Sequence, residues 1–470
     1  MSFEPVTASA TEIAAAVRSG RTTARAVTDR FLDRIAATHD ALNAFTLVTA
    51  ERARREADAV DAALAAGRDP GPLAGAPYSV KNLFDLAGEV TVAGSKINRD
   101  DPPATADATA VQRLQAAGAI CLGAVNMGEY AYDFVTENAH DGMTHNPHDV
   151  TRSAGGSSGG SGASVAAGLV PLSLGTDTNG SIRVPSSFSG TWGLRPTYGG
   201  LSRAGAFAFV DSLDTIGPLA RSVADLAASH DAMSGPDDRD AACSARPAST
   251  LLAQIDLGIA DLRIVKLGGY FSQGGEPVVH AAVDIVADAL GVIRSVELPE
   301  PSLARTAAFL ITSAESGARH LDRLRRRAAD FDPNTRDRLL AGATLPAAWV
   351  DRAQRFRAWW CAQLRAIFED VDVLLAPATP LRAPVHGQTT LTFNGHELPL
   401  RPNIGVFTQP ITLAGLPIVA APLVGADGLP CAVQLVGAPW AEAKLLRVAR
   451  ALESAGVCAA PVAPAFRPVS

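Results

Sequence analysis

Apolar residues recur at helical spacing through residues 8–66, and the whole stretch reads as helical. Thr11-Glu12-Ile13 opens an Ala-rich segment, Arg21-Thr22-Thr23 turns into a second over 24–37, and a third over 51–66 ends at Gly67. Residues 73–82 then read as a short apolar strand entering a turn, with Lys81 near its end. An amphipathic helix over 109–117 closes at Gly118 and leads into a buried strand over 119–124. After a polar, loop-like stretch at 126–151 come a small-residue helix over 163–167 and a strand over 170–174. A turn at 214–217 precedes a helix over 223–234. Strand, helix and strand follow at 263–267, 277–290 and 292–298 as a βαβ-like unit. Helices are expected at 304–328 and 347–368, the second anchored in the core by Trp359, Trp360 and Phe368. Strands at 372–377, 415–420 and 432–437 and a helix over 441–455 complete the pattern.

This alternation predicts an α/β fold with parallel strand pairs covered by helices. A cluster of Gly, Pro, Asp and Ser at 235–250 marks a composition shift, but no repeat or long linker divides the 470 residues. One interlocked domain is therefore expected over 1–470. It comprises a helical segment at about 8–66, a core at about 70–235, a variable region at about 250–370 and further core elements at about 371–460.

Charge and composition narrow the function. At 47% hydrophobic, 19% charged and a net charge of −7, the chain is that of a well-cored globular protein. No basic block interleaves with aromatics, which disfavours direct nucleic-acid binding. The five scattered cysteines form no CxxC pair and suggest a reduced, cytoplasmic setting. No HExxH occurs, and His145 and His148 beside Pro147 read as loop residues rather than metal ligands. Gly268-Gly269 lacks the rest of a dinucleotide fingerprint. The N-terminus lacks the basic and apolar regions of a signal peptide, and no apolar run reaches membrane-spanning length.

The densest chemistry lies at 152–203. Gly155, Gly156, Gly159 and Gly160 flank Ser157 and Ser158, and a second glycine turn, Asn179-Gly180, presents Ser181. Glycine turns expose backbone N–H groups that can cradle an anion, so two hydroxyl-bearing glycine loops suggest a nucleophile with an oxyanion hole. A serine needs a base, and no histidine lies near. Of the four lysines (Lys81, Lys96, Lys266 and Lys444), Lys81 is the best placed to be drawn inward and lose its proton. The local pattern alone equally describes a solvated lysine at a strand end.

The runs Gly155-Gly156-Ser157-Ser158-Gly159-Gly160-Ser161 and Gly175-Thr176-Asp177-Thr178-Asn179-Gly180-Ser181-Ile182-Arg183-Val184-Pro185 resemble the signature of the amidase signature family. Val80-Lys81-Asn82, Asn126 with Glu129, Thr136-Glu137-Asn138 and Gly193-Leu194-Arg195-Pro196-Thr197 fit the same pattern. The resemblance covers most of the chain and implies one large mixed β-sheet with helices on both sides. It makes Ser181 the acylated nucleophile, Ser157 a relay following a cis peptide bond, and Lys81 the base. The backbone N–H groups of Thr178, Asn179, Gly180 and Ser181 would form the oxyanion hole, with no metal or organic cofactor. Many family members carry glycine at the position of Asn179, where Asn suits a left-handed φ if one is required. Asp177 and Arg183 are expected to be scaffold ion-pair or hydrogen-bond residues, and Ser158 either supports the triad or caps the following helix.

Asn126-Met127-Gly128-Glu129-Tyr130-Ala131-Tyr132, with 319–325 and Phe331-Asp332-Pro333, most resembles the 1-carboxybiuret hydrolase branch of s-triazine degradation. The resemblance implies a small amide substrate, a homodimer or heterotetramer, and a small accessory subunit. It makes Tyr132, Ser158, Arg323 and Arg325 candidate substrate contacts, the arginines because such substrates are anionic. The alternatives are the glutaminase component of a glutamyl-tRNA amidotransferase, a general small-amide amidase, and a non-catalytic scaffold of the same fold.

Overall fold

The computed structural model describes residues 3–468. Eleven strands form one mixed sheet: β1 (Phe45–Val48), β2 (Pro77–Lys81), β3 (Ile120–Val125), β4 (Leu172–Asp177), β5 (Trp192–Arg195), β6 (Thr215–Ala220), β7 (Ile264–Leu267), β8 (Ser295–Val296), β9 (Val373–Pro377), β10 (Ile418–Val424) and β11 (Pro430–Gly437). Their spatial order is β1-β3-β2-β4-β6-β5-β10-β11-β9-β7-β8. β2 runs parallel to both β3 and β4, and β7 runs parallel to β8 and β9. The remaining pairs are antiparallel.

Strands β2, β3, β4, β6 and β9 are buried at every residue, as expected of strands covered on both faces. Alternation then assigns side chains to opposite layers. Ile120 and Leu122 join Phe31, Ile35 and Val165 on the face covered by the N-terminal helices, whereas Cys121 joins Tyr78, Val111 and Leu226 on the other. The helices Ala24–Leu42 and Ala50–Ala65 lie on the first face, where side chains from both join that layer.

Several expectations change. The segment 8–66 is not helical throughout: Asn43 ends a helix in the left-handed conformation, and Phe45–Val48 pairs antiparallel with β3. Four residues are too few for periodicity to reveal, and the strand exists because β3 offers an edge. The expected turn at 214–217 is mostly strand, since β6 begins at Thr215 and pairs with β4 along its whole length. Gly217 and Pro218 mimic a turn signal, yet β6 holds the centre of the sheet. Of 292–298 only Ser295–Val296 pairs as strand. The helix Pro333–Ala343, which the apolar pattern does not predict, packs closely on the long helix Pro301–Arg327, with Gly342 against Ser313 and Gly317 against Ala343.

Of the three expected anchors on the helix Ala347–Asp370, Trp360 is fully buried and donates from Nε1 to Pro410 O at 3.0 Å. Phe368 is half-buried, and Trp359 is 40% exposed. Adjacent positions on a helix are about 100° apart, so two neighbouring tryptophans cannot both face inward. Trp360→Ala should therefore cost about 3–5 kcal/mol of unfolding free energy and Trp359→Ala under about 1 kcal/mol. Denaturant unfolding of the two variants, which should separate them clearly, checks this.

Candidate active site

Parallel strands β2 and β4 deliver their carboxyl ends to one edge of the sheet, where ligands of α/β proteins commonly bind. Lys81 ends β2 with no solvent exposure. Its Nζ lies 2.7 Å from Ser157 Oγ and 2.8 Å from Thr176 Oγ1 on β4. No carboxylate forms an ion pair with it among the described residues. Burial consequently dominates and lowers its pKa to about 7, against the weaker pull of Asp133, Asp214 and Asp177.

Ser157 enters the site through a cis Gly156–Ser157 peptide bond, just before the helix Gly159–Ala166. Glycine is required at 156 because a Cβ there would lie 2.5 Å from Val135 N and 2.6 Å from Asp133 Oδ1. Ser158 neither caps that helix nor reaches a cavity. Its hydroxyl donates to Thr176 O and accepts from Thr176 N, both at 3.3 Å, which fixes the residue that meets Lys81. It is therefore neither the expected cap nor the expected substrate contact, because its one hydroxyl is committed to the strand.

The Ser181 loop is shaped from below by Asp177. Asp177 Oδ1 accepts from Gly180 N at 2.8 Å, and Oδ2 accepts from Ile182 N at 3.2 Å and Arg183 Nε at 2.9 Å. Arg195 Nε approaches Oδ1 at 3.4 Å. All three charged side chains are fully buried. Burial pushes the Asp177 carboxyl up, but the two guanidinium groups and the backbone donors outweigh it and hold the group below its ordinary value. The expected ion pair is thus the core of the loop. Because Gly180 N–H is occupied by Asp177, it is removed from the four expected oxyanion donors. Asn179 N and Ser181 N have no protein acceptor among the described residues. Thr178 is tied through Oγ1 to the buried Asp214 at 2.6 Å.

Asn179 does not adopt the left-handed conformation; the positive φ, 136°, belongs to Gly180. A Cβ there would sit 2.5 Å from Thr408 Oγ1, which itself donates to Asn179 O at 2.6 Å. The Asn179 side chain instead crosses to the helix Pro301–Arg327, donating from Nδ2 to Thr312 Oγ1 at 2.8 Å.

Ser181, Asn179 and Thr178 line a tight chamber with about 20 Å³ of free volume, enough for about one water. Tyr132, Asp133, Phe134, Phe209, Phe309 and Thr312 contribute walls, together with Gln409 and Arg338. Tyr132 is therefore at the site, its hydroxyl 3.0 Å from Ser313 Oγ. The two expected arginines are not. Arg325 is 69% exposed beside Asp322, and Arg323 lies over the rings of Tyr130 and Phe207 near Asp101. Their place is taken by Arg338, whose guanidinium stacks on Tyr132 at 3.6 Å and donates to Tyr132 O at 2.5 Å. No ion pair engages it among the described residues. Its helix carries no motif, and Asp332-Pro333 as a helix start is the only signal of it in the sequence. A larger cavity of about 850 Å³ adjoins at Phe209 but contains no serine of the glycine–serine loops.

The arrangement joins a deprotonatable buried amine, a serine at hydrogen-bond distance from it, a second serine on an adjoining loop and free backbone donors. Such a set can carry out nucleophilic acyl transfer without a metal. The amidase family profile matches residues 26–446. AtzE, a component of the 1-carboxybiuret hydrolase of Pseudomonas sp. (strain ADP), is 53% identical over 448 residues, covering 95% of this chain and 98% of that protein. The GatA-type component of the glutamyl-tRNA(Gln) amidotransferase of Salinispora tropica is 39% identical over 481 residues, covering 95% and 96%. A solved structure of "an unexpected vestigial protein complex" bearing on the origins of an s-triazine catabolic enzyme superposes with a TM-score of 0.95 at 52% identity, covering 96% of this chain and 99% of that one.

Replacing Asp177 with Asn would leave two buried guanidinium groups without their shared anion. The variant should lose about 3–5 kcal/mol of stability by chemical denaturation. A loss below about 1 kcal/mol would contradict the role assigned to this carboxylate.

Proposed function

The chain belongs to the amidase signature family, and we propose from that premise that it hydrolyses the amide bond of a small anionic ureide of the 1-carboxybiuret type. The observation that carries the reaction is the 2.7 Å contact between Ser157 Oγ and a fully buried Lys81. An ordinary lysine is about 0.1% neutral at pH 7.5, whereas one with a pKa near 7 is mostly neutral. Neutral Lys81 Nζ takes the proton of Ser157, which takes that of Ser181 as its Oγ attacks the carbonyl carbon. The developing oxyanion is met by the backbone N–H groups of Asn179 and Ser181. The same relay then returns a proton to the leaving nitrogen as the C–N bond breaks. Water, deprotonated by the reverse route, cleaves the acyl-enzyme and restores Ser181.

The substrate class rests on similarity to the 1-carboxybiuret hydrolase component and on the chamber itself. Its volume admits a ligand only when a wall moves, and Phe309, 42% exposed and shared with an outer groove of about 620 Å³, is the wall free to do so. Arg338, held flat on Tyr132 and lacking a protein carboxylate, supports recognition of a substrate carboxylate. A partner protein is part of the same reading, by analogy with the protein complex described for the structural relative. A cytoplasmic location accords with it; no helix among the described residues is long and apolar enough to cross a membrane.

A serine-directed acylating probe should label the wild-type protein at Ser181 and leave Ser181→Ala unlabelled and inactive towards amides. In the wild type, kcat/KM should rise with pH through a midpoint near 7 and flatten above it, because loss of the Lys81 proton creates the base. Labelling elsewhere, or a flat profile from about pH 5.5 to about pH 9, would refute the mechanism. Arg338→Met should lower kcat/KM for 1-carboxybiuret about 10- to 100-fold while changing that for biuret, which lacks the carboxylate, less than about threefold. Assays with glutamine distinguish the glutaminase reading.

A further inference from the structure

The Asn179 carboxamide carries an atom that neither the sheet nor the relay employs. Asn179 is 7% exposed, and its Oδ1 is buried without any hydrogen-bond partner. Its Nδ2 is bound to Thr312 Oγ1, so the amide plane is held and Oδ1 cannot turn away. Both Asn179 and Thr312 line the chamber that contains Ser181. An unpartnered buried carbonyl is costly and recovers that cost only when a donor arrives. The chamber's protein donors are otherwise engaged: Arg338 with Tyr132 O, and Tyr132 Oη with Ser313 Oγ. Asp133 Oδ1 also lacks a partner, but it presses on the glycine backbone at 128 and 156.

The geometry points to Asn179 Oδ1 as the acceptor for an N–H group on the acyl side of the scissile carbonyl, so that this site selects ureides over carbon-flanked amides. The inference rests on the reading of Ser181 as nucleophile and follows from the three substituents of the attacked carbon. Its oxygen must face the backbone donors of Asn179 and Ser181. Its leaving nitrogen must face Ser157, which returns the proton. The third substituent is left for the opposite wall, where Asn179 is tied to the helix Pro301–Arg327. In a ureide that substituent is an N–H flanked by two carbonyls, which is a good donor. In glutamine or a simple carboxamide it is a CH₂ or CH₃ group, which leaves Oδ1 unsatisfied. Many family members have no side chain at this position, so the resemblance that identifies the relay does not supply this contact.

Biuret and malonamide differ only in NH against CH₂ at the central position and are the probes to use. Their dissociation constants are measured by calorimetry on the full-length Ser181→Ala protein, which cannot turn them over. Biuret should bind about 10- to 100-fold more tightly. That preference should fall to within about threefold of unity when Asn179→Ala or Asn179→Gly is added, with folding of each variant checked by thermal unfolding. Equal binding of the two probes to Ser181→Ala, no binding of biuret, or a preference that survives loss of the Asn179 side chain would each overturn the inference. Failure of the nucleophile assignment shows separately, as an unlabelled Ser181 in the wild-type protein, because the binding comparison does not depend on attack.

Discussion

The buried carboxylate of Asp177 is the constraint on which this structure depends. One group at the end of β4 orients the amides of Gly180 and Ile182 and neutralises Arg183 and Arg195. Those arginines extend the network across the molecule. Arg183 donates to Thr408 O at 3.1 Å and Gln434 Oε1 at 2.6 Å, and Arg195 donates to Leu416 O at 2.6 Å. The Ser181 loop is thereby fixed to segments more than 200 residues later in the chain. An exposed ion pair would contribute too little to impose such an arrangement; full burial makes every missing partner costly.

Lys81 shows the opposite use of burial. Asp177 is buried with compensating cations and stays charged, whereas Lys81 is buried with hydroxyl groups and is pushed towards neutrality. The two groups lie at the carboxyl ends of neighbouring parallel strands, so one edge of one sheet holds a permanent anion and a titratable amine. The difference is set by which partners the fold brings: two guanidinium groups for the aspartate, Ser157 and Thr176 for the lysine. Ser158, which grips both sides of the Thr176 peptide, contributes by holding that partner in place.

The chamber beside these groups is small because large side chains close it, with Phe209 and Phe309 between it and wider spaces. What it offers a ligand is correspondingly specific: one unpaired guanidinium, one unpaired carboxamide oxygen and a few free amides. Arg338 and Thr312 come from the helices Pro333–Ala343 and Pro301–Arg327, which lie outside the glycine–serine stretch. The sheet thus supplies the reacting groups, and the helical region supplies the walls that distinguish substrates.

Local sequence determined a good deal. The long amphipathic helices, the apolar strands at β2, β3, β4 and β9, and the paired glycine–serine loops follow from periodicity and from glycine's backbone freedom. These are short-range properties, and they sufficed to bring Lys81, Ser157 and Ser181 into consideration. Tertiary structure alone decided the rest. β1 and β6 are strands because neighbouring edges require partners, although their own residues suggest helix and turn. Which of Trp359 and Trp360 is core was set by the orientation of one helix against the sheet. Arg323 and Arg325 sit on the helix expected to face the substrate, but beyond its reach. Arg338, which carries no motif, is delivered by a helix whose own apolar pattern is weak. Likewise, the sequence singled out Asn179 as unusual, but only the distant Thr312 determines where its side chain points. Contacts between residues more than 100 positions apart, such as that of Asn179 with Thr312, leave no local signature, and in this protein such contacts decide what the chamber recognises.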